Sequence, residues 1–277
     1  MRSSGILKSK FECKRETITL RGTQYRPQGD NLPIAIVCHG FMANQGSVRR
    51  YARALAGMGY AAFCFDFSGG CLFGGKSDGK TTDMSVLTEV ADLQAVIAYT
   101  RTLPHTDSQS VLLMGCSQGG FVSALTAARP DSPVSKLILF YPALCIPDDA
   151  RAGQMMFAKF DPQNVPAQFR CGLMKLGARY VTDVINMKAT DEIKGYSGDV
   201  LIVHGSADPV VSIHYSNRAY KTYAKRSTAE GAAPQITMFQ PIEGGKHGFS
   251  RKHDALAMGA VRQFLDEWPA VSLKTQS

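Results

Sequence analysis

Six short apolar runs punctuate the chain, at 34–38, 61–67, 111–114, 137–141, 200–203 and 236–239. Strands covered on one face alternate apolar with polar residues, whereas largely unbroken runs such as Ile34-Ala35-Ile36-Val37-Cys38 belong to strands covered on both. Segments with helical spacing separate or follow these runs, at 47–58, 83–103, 119–129, 213–223 and 255–268. In the second of them Val86, Val90, Leu93 and Ile97 recur at steps of 4, 3 and 4, which places them on one face. Strand–helix alternation at this density predicts an α/β fold: a mostly parallel sheet with helices on both faces. Residues 11–18 and 19–25 read as a β-hairpin region closed by the turn-rich 26–30. One stretch, 147–198, breaks the rhythm. It is rich in Met, Asp, Gln and Arg, and it reads as an insertion over the sheet edge.

Composition narrows the function classes. At 277 residues the chain is almost twice a typical domain of ~150, yet single α/β domains often reach this length. With 44% hydrophobic and 19% charged residues it is neither disordered nor of low complexity. The longest nearly unbroken apolar run, 137–146, falls far short of the ~20 residues that span a bilayer. Lys and Arg outnumber Asp and Glu by 31 to 23, a formal charge of +8. These basic residues are scattered, and Arg49, Arg50 and Arg53 read as the wet face of one helix, so no nucleic-acid partner is expected. A weak pull on acidic or phenolate-bearing substrates is the charge's expected use. The 7 cysteines form no CxxC pair and no metal spacing with His. With no apolar secretory core at residues 1–8, a cytoplasmic location is expected.

Residues 70–77, Gly-Cys-Leu-Phe-Gly-Gly-Lys-Ser, match the phosphate-loop string G-x-x-x-x-G-K-[ST]. That loop works only when a helix starts at its Lys-Ser and turns its amides on the phosphate. Here the turn-forming Asp78-Gly79-Lys80-Thr81-Thr82 follows, and helical spacing begins near Asp83. A glycine-rich connection is the simpler reading.

The string Gly115-Cys116-Ser117-Gln118-Gly119-Gly120 sits between a predicted strand and a predicted helix. In that context G-x-S-x-G makes a sharp turn that lifts the serine hydroxyl out of the sheet, with a helix N-terminus behind it. A serine hydroxyl attacks only when a base takes its proton and a third group orients the base. In this architecture the order is Ser, then acid, then His. Asp208 lies just past the strand at 200–203, at the carboxyl end where functional loops of open sheets gather, while Asp199 falls at the opposite edge. Among the 6 histidines, His247 lies in a loop after the last strand, at the same edge as Ser117 and Asp208. His253 begins the final helix, His214 falls within a helix, and His105 lies at the opposite edge. His204 ends a strand and is expected to support the Asp208 loop. The two oxyanion donors are expected to be the amides of Gln118 and Phe41, the latter in the loop His39-Gly40-Phe41-Met42. His39 is then structural.

Together with Asp66-Phe67-Ser68-Gly69-Gly70 and Ser77-Asp78-Gly79, these strings resemble the bacterial cinnamoyl (feruloyl) esterases of the α/β-hydrolase superfamily, over roughly residues 15–270. Two departures are visible: Cys116 stands where such enzymes often carry His, and 68–76 is longer and richer in glycine. The resemblance implies one hydrolase domain over 1–277 with a lid at 147–198. It implies Ser117, Asp208 and His247 as triad and Phe41 and Gln118 as oxyanion donors. Asp148, Asp149, Gln154 and Tyr180 of the lid become candidates to meet a phenolic hydroxyl. The expected activity is hydrolysis of hydroxycinnamate esters through an acyl-enzyme, with neither metal nor organic cofactor. A lipase-like or peptidase-like acyl specificity, and a noncatalytic binding protein, are the alternatives. The expected partner is a small-molecule ester, with homodimerisation left open.

Overall fold

The computed structural model describes residues 5–225 and 235–266. The chain opens on a hairpin, β1 (Leu7–Arg15) and β2 (Ile18–Arg26), followed by β3 (Leu32–Cys38), α1 (Gln45–Gly57) and β4 (Ala61–Phe65). Then come a 3₁₀ turn (Thr81–Asp83), α2 (Val86–Thr100), β5 (Thr106–Cys116), α3 (Gln118–Ala127) and β6 (Val134–Phe140). Short elements follow: α4 (Ile146–Arg151), β7 (Gln154–Met155), β8 (Ala158–Lys159), β9 (Gln168–Cys171), β10 (Met174–Gly177), α5 (Arg179–Thr182) and α6 (Ala189–Ile193). The sheet resumes with β11 (Asp199–Gly205), α7 (Ile213–Ala224), β12 (Thr237–Ile242) and α8 (Arg251–Asp266).

Eight strands form one sheet in the order β1-β2-β4-β3-β5-β6-β11-β12. The β1–β2 and β2–β4 pairs are antiparallel and the rest are parallel. From β3 the chain steps outward to β4 and returns to lay β5 on the other side of β3. The order reverses there, so the loops leaving β3 and β5 diverge and open a crevice at the carboxyl edge.

The unbroken apolar runs have the expected cause. Ile34, Ile36 and Cys38 pack into one core with α2, α3 and α7, while Ala35 and Val37 pack into a second core under α1 and α8. Leu137 and Leu139 against Ile138 and Phe140 divide in the same way. Arg49, Arg50 and Arg53 are exposed on α1.

Several boundaries differ from expectation. The first hairpin turns at Glu16-Thr17, with Glu16 at φ 54, and β1 begins at Leu7. Helix α2 starts three residues late because Ser85 caps it, reciprocally with Thr88. The final helix was expected to reach Trp268, which lies outside the described residues. Residues 147–198 hold two β-hairpins and three short helices, which their weak periodicity did not announce. Lys76 and Ser77 start no helix. The Lys76 amide donates to Asp66 at 2.9 Å, Ser77 Oγ to the Asp66 carbonyl, and Arg21 to the Lys76 carbonyl at 2.7 Å, which ties the loop to β2 instead of cradling a phosphate.

Candidate active site

Ser117 sits between β5 and α3 with φ 55 and ψ −121, a left-handed turn that a side chain adopts only under constraint. Its amide donates to the Phe140 carbonyl at 3.0 Å, and its carbonyl accepts from Ala143 at 2.9 Å, so β6 and the strand's own exit hold the turn. The glycines beside it are required by space. A Cβ on Gly115 would lie 2.2 Å from the Gly119 carbonyl oxygen, and one on Gly119 would lie 2.3 Å from the His39 carbonyl oxygen.

The loop after β12 brings His247 to this serine. Its Nε2 lies 3.0 Å from Ser117 Oγ and its Nδ1 lies 2.7 Å from Asp208 Oδ2. The Asp208 side chain is fully buried and the imidazole largely so. Burial alone would raise the Asp208 carboxyl, but hydrogen bonds from His204, His247 and the amides of Val211 and Val210 hold it well below the ordinary carboxylate range. The two amides lie at 3.0 and 2.8 Å from Oδ1. His204 Nε2 faces the Val211 carbonyl at 2.9 Å and Asp208 Oδ2 at 3.2 Å, two acceptors, so this nitrogen carries the proton. Its Nδ1 then accepts from Ser216 at 2.6 Å. The Tyr141 ring, centroid 4.7 Å away, supports the His247 imidazole from one side. A hydrogen-bonded Ser–His–Asp relay of this kind transfers a proton from hydroxyl to imidazole while the carboxylate fixes the imidazole's tautomer.

The loop after β3 closes over Ser117, since a methyl at Gly40 would stand 3.6 Å from Oγ. The Gln118 amide, at the first position of α3, has no carbonyl to meet within its own helix. His39 is buried, with Nδ1 on its neighbour's carbonyl at 2.8 Å and the Phe67 amide donating to Nε2 at 3.2 Å. Burial lowers its pKa. Its ring thereby ties the loop after β3 to the segment that follows β4.

A cavity of about 550 Å³ opens from Ser117, within the usual ~300–1,000 Å³ of small-molecule sites. Its wall is mostly apolar; the 147–198 segment supplies part of it, including Met155 and Phe157, and Phe41, Ile146 and Val211 come from outside that segment. Of the four residues expected to meet substrate, Asp149, Gln154 and Tyr180 line this cavity. Asp148 is not among its lining residues. Its carboxylate is engaged by Arg151 and by the Tyr215 hydroxyl at 3.0 Å, which draws it toward α7. Burial raises the Asp149 carboxyl, with the Cys145 thiol as its hydrogen-bonding neighbour.

A family model described as serine aminopeptidase, S33, matches residues 30–168. The chain belongs to that family. Across the whole fold this S33 member is similar to Est1E from Butyrivibrio proteoclasticus with ferulic acid bound, at 27% identity and a TM-score of 0.81, covering 93% of this chain and 98% of that one. It is also similar to an esterase of Pyrococcus furiosus, at 18% identity and a TM-score of 0.67, over 95% and 93% of the two chains. These neighbours carry the α/β-hydrolase fold, as does this chain. A quorum-quenching protein of Acinetobacter baumannii, AidA, is 31% identical over 112 residues, which span 38% of this chain and only 34% of that protein.

Two positions of this S33 chain escaped the reading of its sequence. Glu89 is buried on α2 and bonds the Gln118 side chain, and Tyr141 packs on His247. Glu89 left a signal: it falls among Val86, Val90, Leu93 and Ile97, a carboxyl on an apolar helix face. One cluster has metal-binding chemistry, with ligand atoms of His39, Asp66 and Cys71 within 4.8 Å of one another. The Asp66 carboxylate already accepts from Gln45 and Lys76 amides at 2.7 and 2.9 Å, and His39 Nε2 from Phe67, so hydrogen bonding accounts for the cluster. Among the described residues no helix is long and apolar enough to cross a membrane.

Proposed function

We propose that this chain is a serine carboxylesterase acting on hydroxycinnamate or similar aromatic esters, with residues 147–198 as its lid and a cytoplasmic site of action. The observation that carries the reading is the Ser117–His247–Asp208 relay, at 3.0 and 2.7 Å, opening on a largely apolar cavity. His247 Nε2 takes the Ser117 proton as Oγ attacks the ester carbonyl carbon. The oxygen that gains charge is received by the amides of Phe41 and Gln118. The carbon–oxygen bond to the alcohol breaks, His247 returns the proton to the alcohol, and an acyl-enzyme remains. Water then attacks in the same way and the carboxylic acid leaves. A bound ferulic acid in the similar Est1E supports the aromatic acyl group, and the Asp149 carboxyl and Gln154 amide are the cavity's polar candidates for a phenolic hydroxyl. Seven unpaired cysteines suit a reducing compartment.

The test sets methyl ferulate against tributyrin and aminoacyl amides, the last because the matching family is described as an aminopeptidase. Methyl ferulate is expected to give the highest kcat/KM. A fluorophosphonate should label the intact protein, and Ser117→Ala should lower ester turnover by roughly 10⁴-fold or more. Full turnover by Ser117→Ala would falsify the mechanism, and a preference for aminoacyl amides would replace the substrate class.

A further inference from the structure

Two residues that take no part in the proton relay converge on the oxyanion donors. The side chain of Gln118 is buried and held at both ends: Nε2 donates to Glu89 Oε2 at 2.8 Å, and Oε1 accepts from the Tyr180 hydroxyl at 2.5 Å. The Tyr180 ring lies along that of Phe41, with centroids 5.1 Å and planes 27° apart. One residue of the 147–198 segment thus touches both residues whose amides are assigned to the oxyanion. Tyr180 and Glu89 are 3% and 1% exposed, so bulk water does not compete for these contacts.

An oxyanion donor acts only when it is aimed at the place where charge develops. Helix α3 fixes the Gln118 amide from one side only, and Phe41 lies in a loop outside the sheet, followed by Met42 at φ 60. Both donors therefore depend on what packs behind them. We propose that Tyr180 is a positioning residue for the oxyanion hole, holding Gln118 through its hydroxyl and Phe41 through its ring, while Glu89 fixes the far end of the Gln118 amide. This deepens the esterase reading and rests on it. It also gives Tyr180 a task other than the phenol contact expected from sequence, since its hydroxyl proton is already donated to Gln118. Burial, reinforced by Asp92 and opposed by the Gln118 bond, pushes the Glu89 carboxyl up to about 8. Held largely as the acid at neutral pH, it offers Nε2 an acceptor without setting a full negative charge behind the oxyanion.

Two esters separate this role from substrate contact: p-nitrophenyl acetate, whose acetyl group is too short to use the far cavity wall, and methyl ferulate. For Tyr180→Phe, kcat is expected to fall about tenfold on both, with KM held within about twofold. Glu89→Leu, which exchanges a buried carboxyl for an apolar side chain, is expected to give the same uniform loss. Glu89→Gln, which keeps a carbonyl acceptor, should recover most of the rate. A loss by Tyr180→Phe confined to methyl ferulate makes Tyr180 a substrate contact and overturns the proposal. Unchanged kcat in Tyr180→Phe or in Glu89→Leu overturns it as well, with the esterase reading intact. Should the unaltered protein hydrolyse neither ester, the esterase reading falls and takes the proposal with it.

Discussion

Glu89 and Asp208 are buried carboxyls that the fold treats in opposite ways. Asp208 accepts hydrogen bonds from two histidines and two amides and is held low, so it adds stability that is lost as pH falls through its folded value. Glu89 has one amide donor and is raised from 4.5 to about 8. In that window the folded protein binds the proton more tightly than the unfolded chain, so the group's contribution is full below about 4.5 and is lost as pH rises toward 8. Glu89→Gln, neutral and of the same shape, is expected to flatten this decline. Its melting temperature should gain on the unaltered protein between pH 5 and pH 9, and parallel curves would count against a buried acid at this position. Which residues were legible follows from the same physics. Ser117, Asp208 and His247 each stand just past a strand's carboxyl end, in the one order the topology allows, and local signals mark all three. Tyr180 reaches Gln118 across 62 positions, from a segment without a period, and no local pattern records such a contact.

Elements were legible where burial imposed a period and silent where it did not. The parallel strands appeared as apolar runs because both faces are covered, and α2 appeared through its repeating apolar face. The strands of the 147–198 segment are two to four residues long, too short to show alternation, and their partners lie within the same segment. The joint between β5 and α3 is among the places where close backbone approach specifies the residue. Gly119 packs its backbone on the His39 carbonyl, so α3 and the loop after β3 lie at a separation only hydrogen allows. Gly119→Ala is expected to cost about 1–3 kcal/mol and to lower kcat as well, because the clash is with backbone that leads directly to Phe41. Urea unfolding measures the first and ester turnover the second. An active variant of undiminished stability would mean that the two loops can separate.

At the scale of the molecule, the relay draws on three strands: Ser117 follows β5, Asp208 follows β11 and His247 follows β12. The first two lie inside the sheet with buried central residues, whereas β12, among the described residues, pairs with β11 alone and leaves Gln240 and Pro241 exposed. The proposed nucleophile and acid therefore belong to the most protected part of the structure, and the proposed base hangs from an edge. Local opening of an edge strand needs less free energy than global unfolding. As urea rises, ester turnover is accordingly expected to disappear before the helical circular dichroism signal, with an inactivation midpoint clearly below that of unfolding. Coincident midpoints would show β12 to be as secure as the centre. If the order holds, an overheated or chemically stressed preparation can keep nearly all its secondary structure and still have stopped turning over. Turnover would then be a more sensitive measure of an intact molecule than any optical probe of its helices.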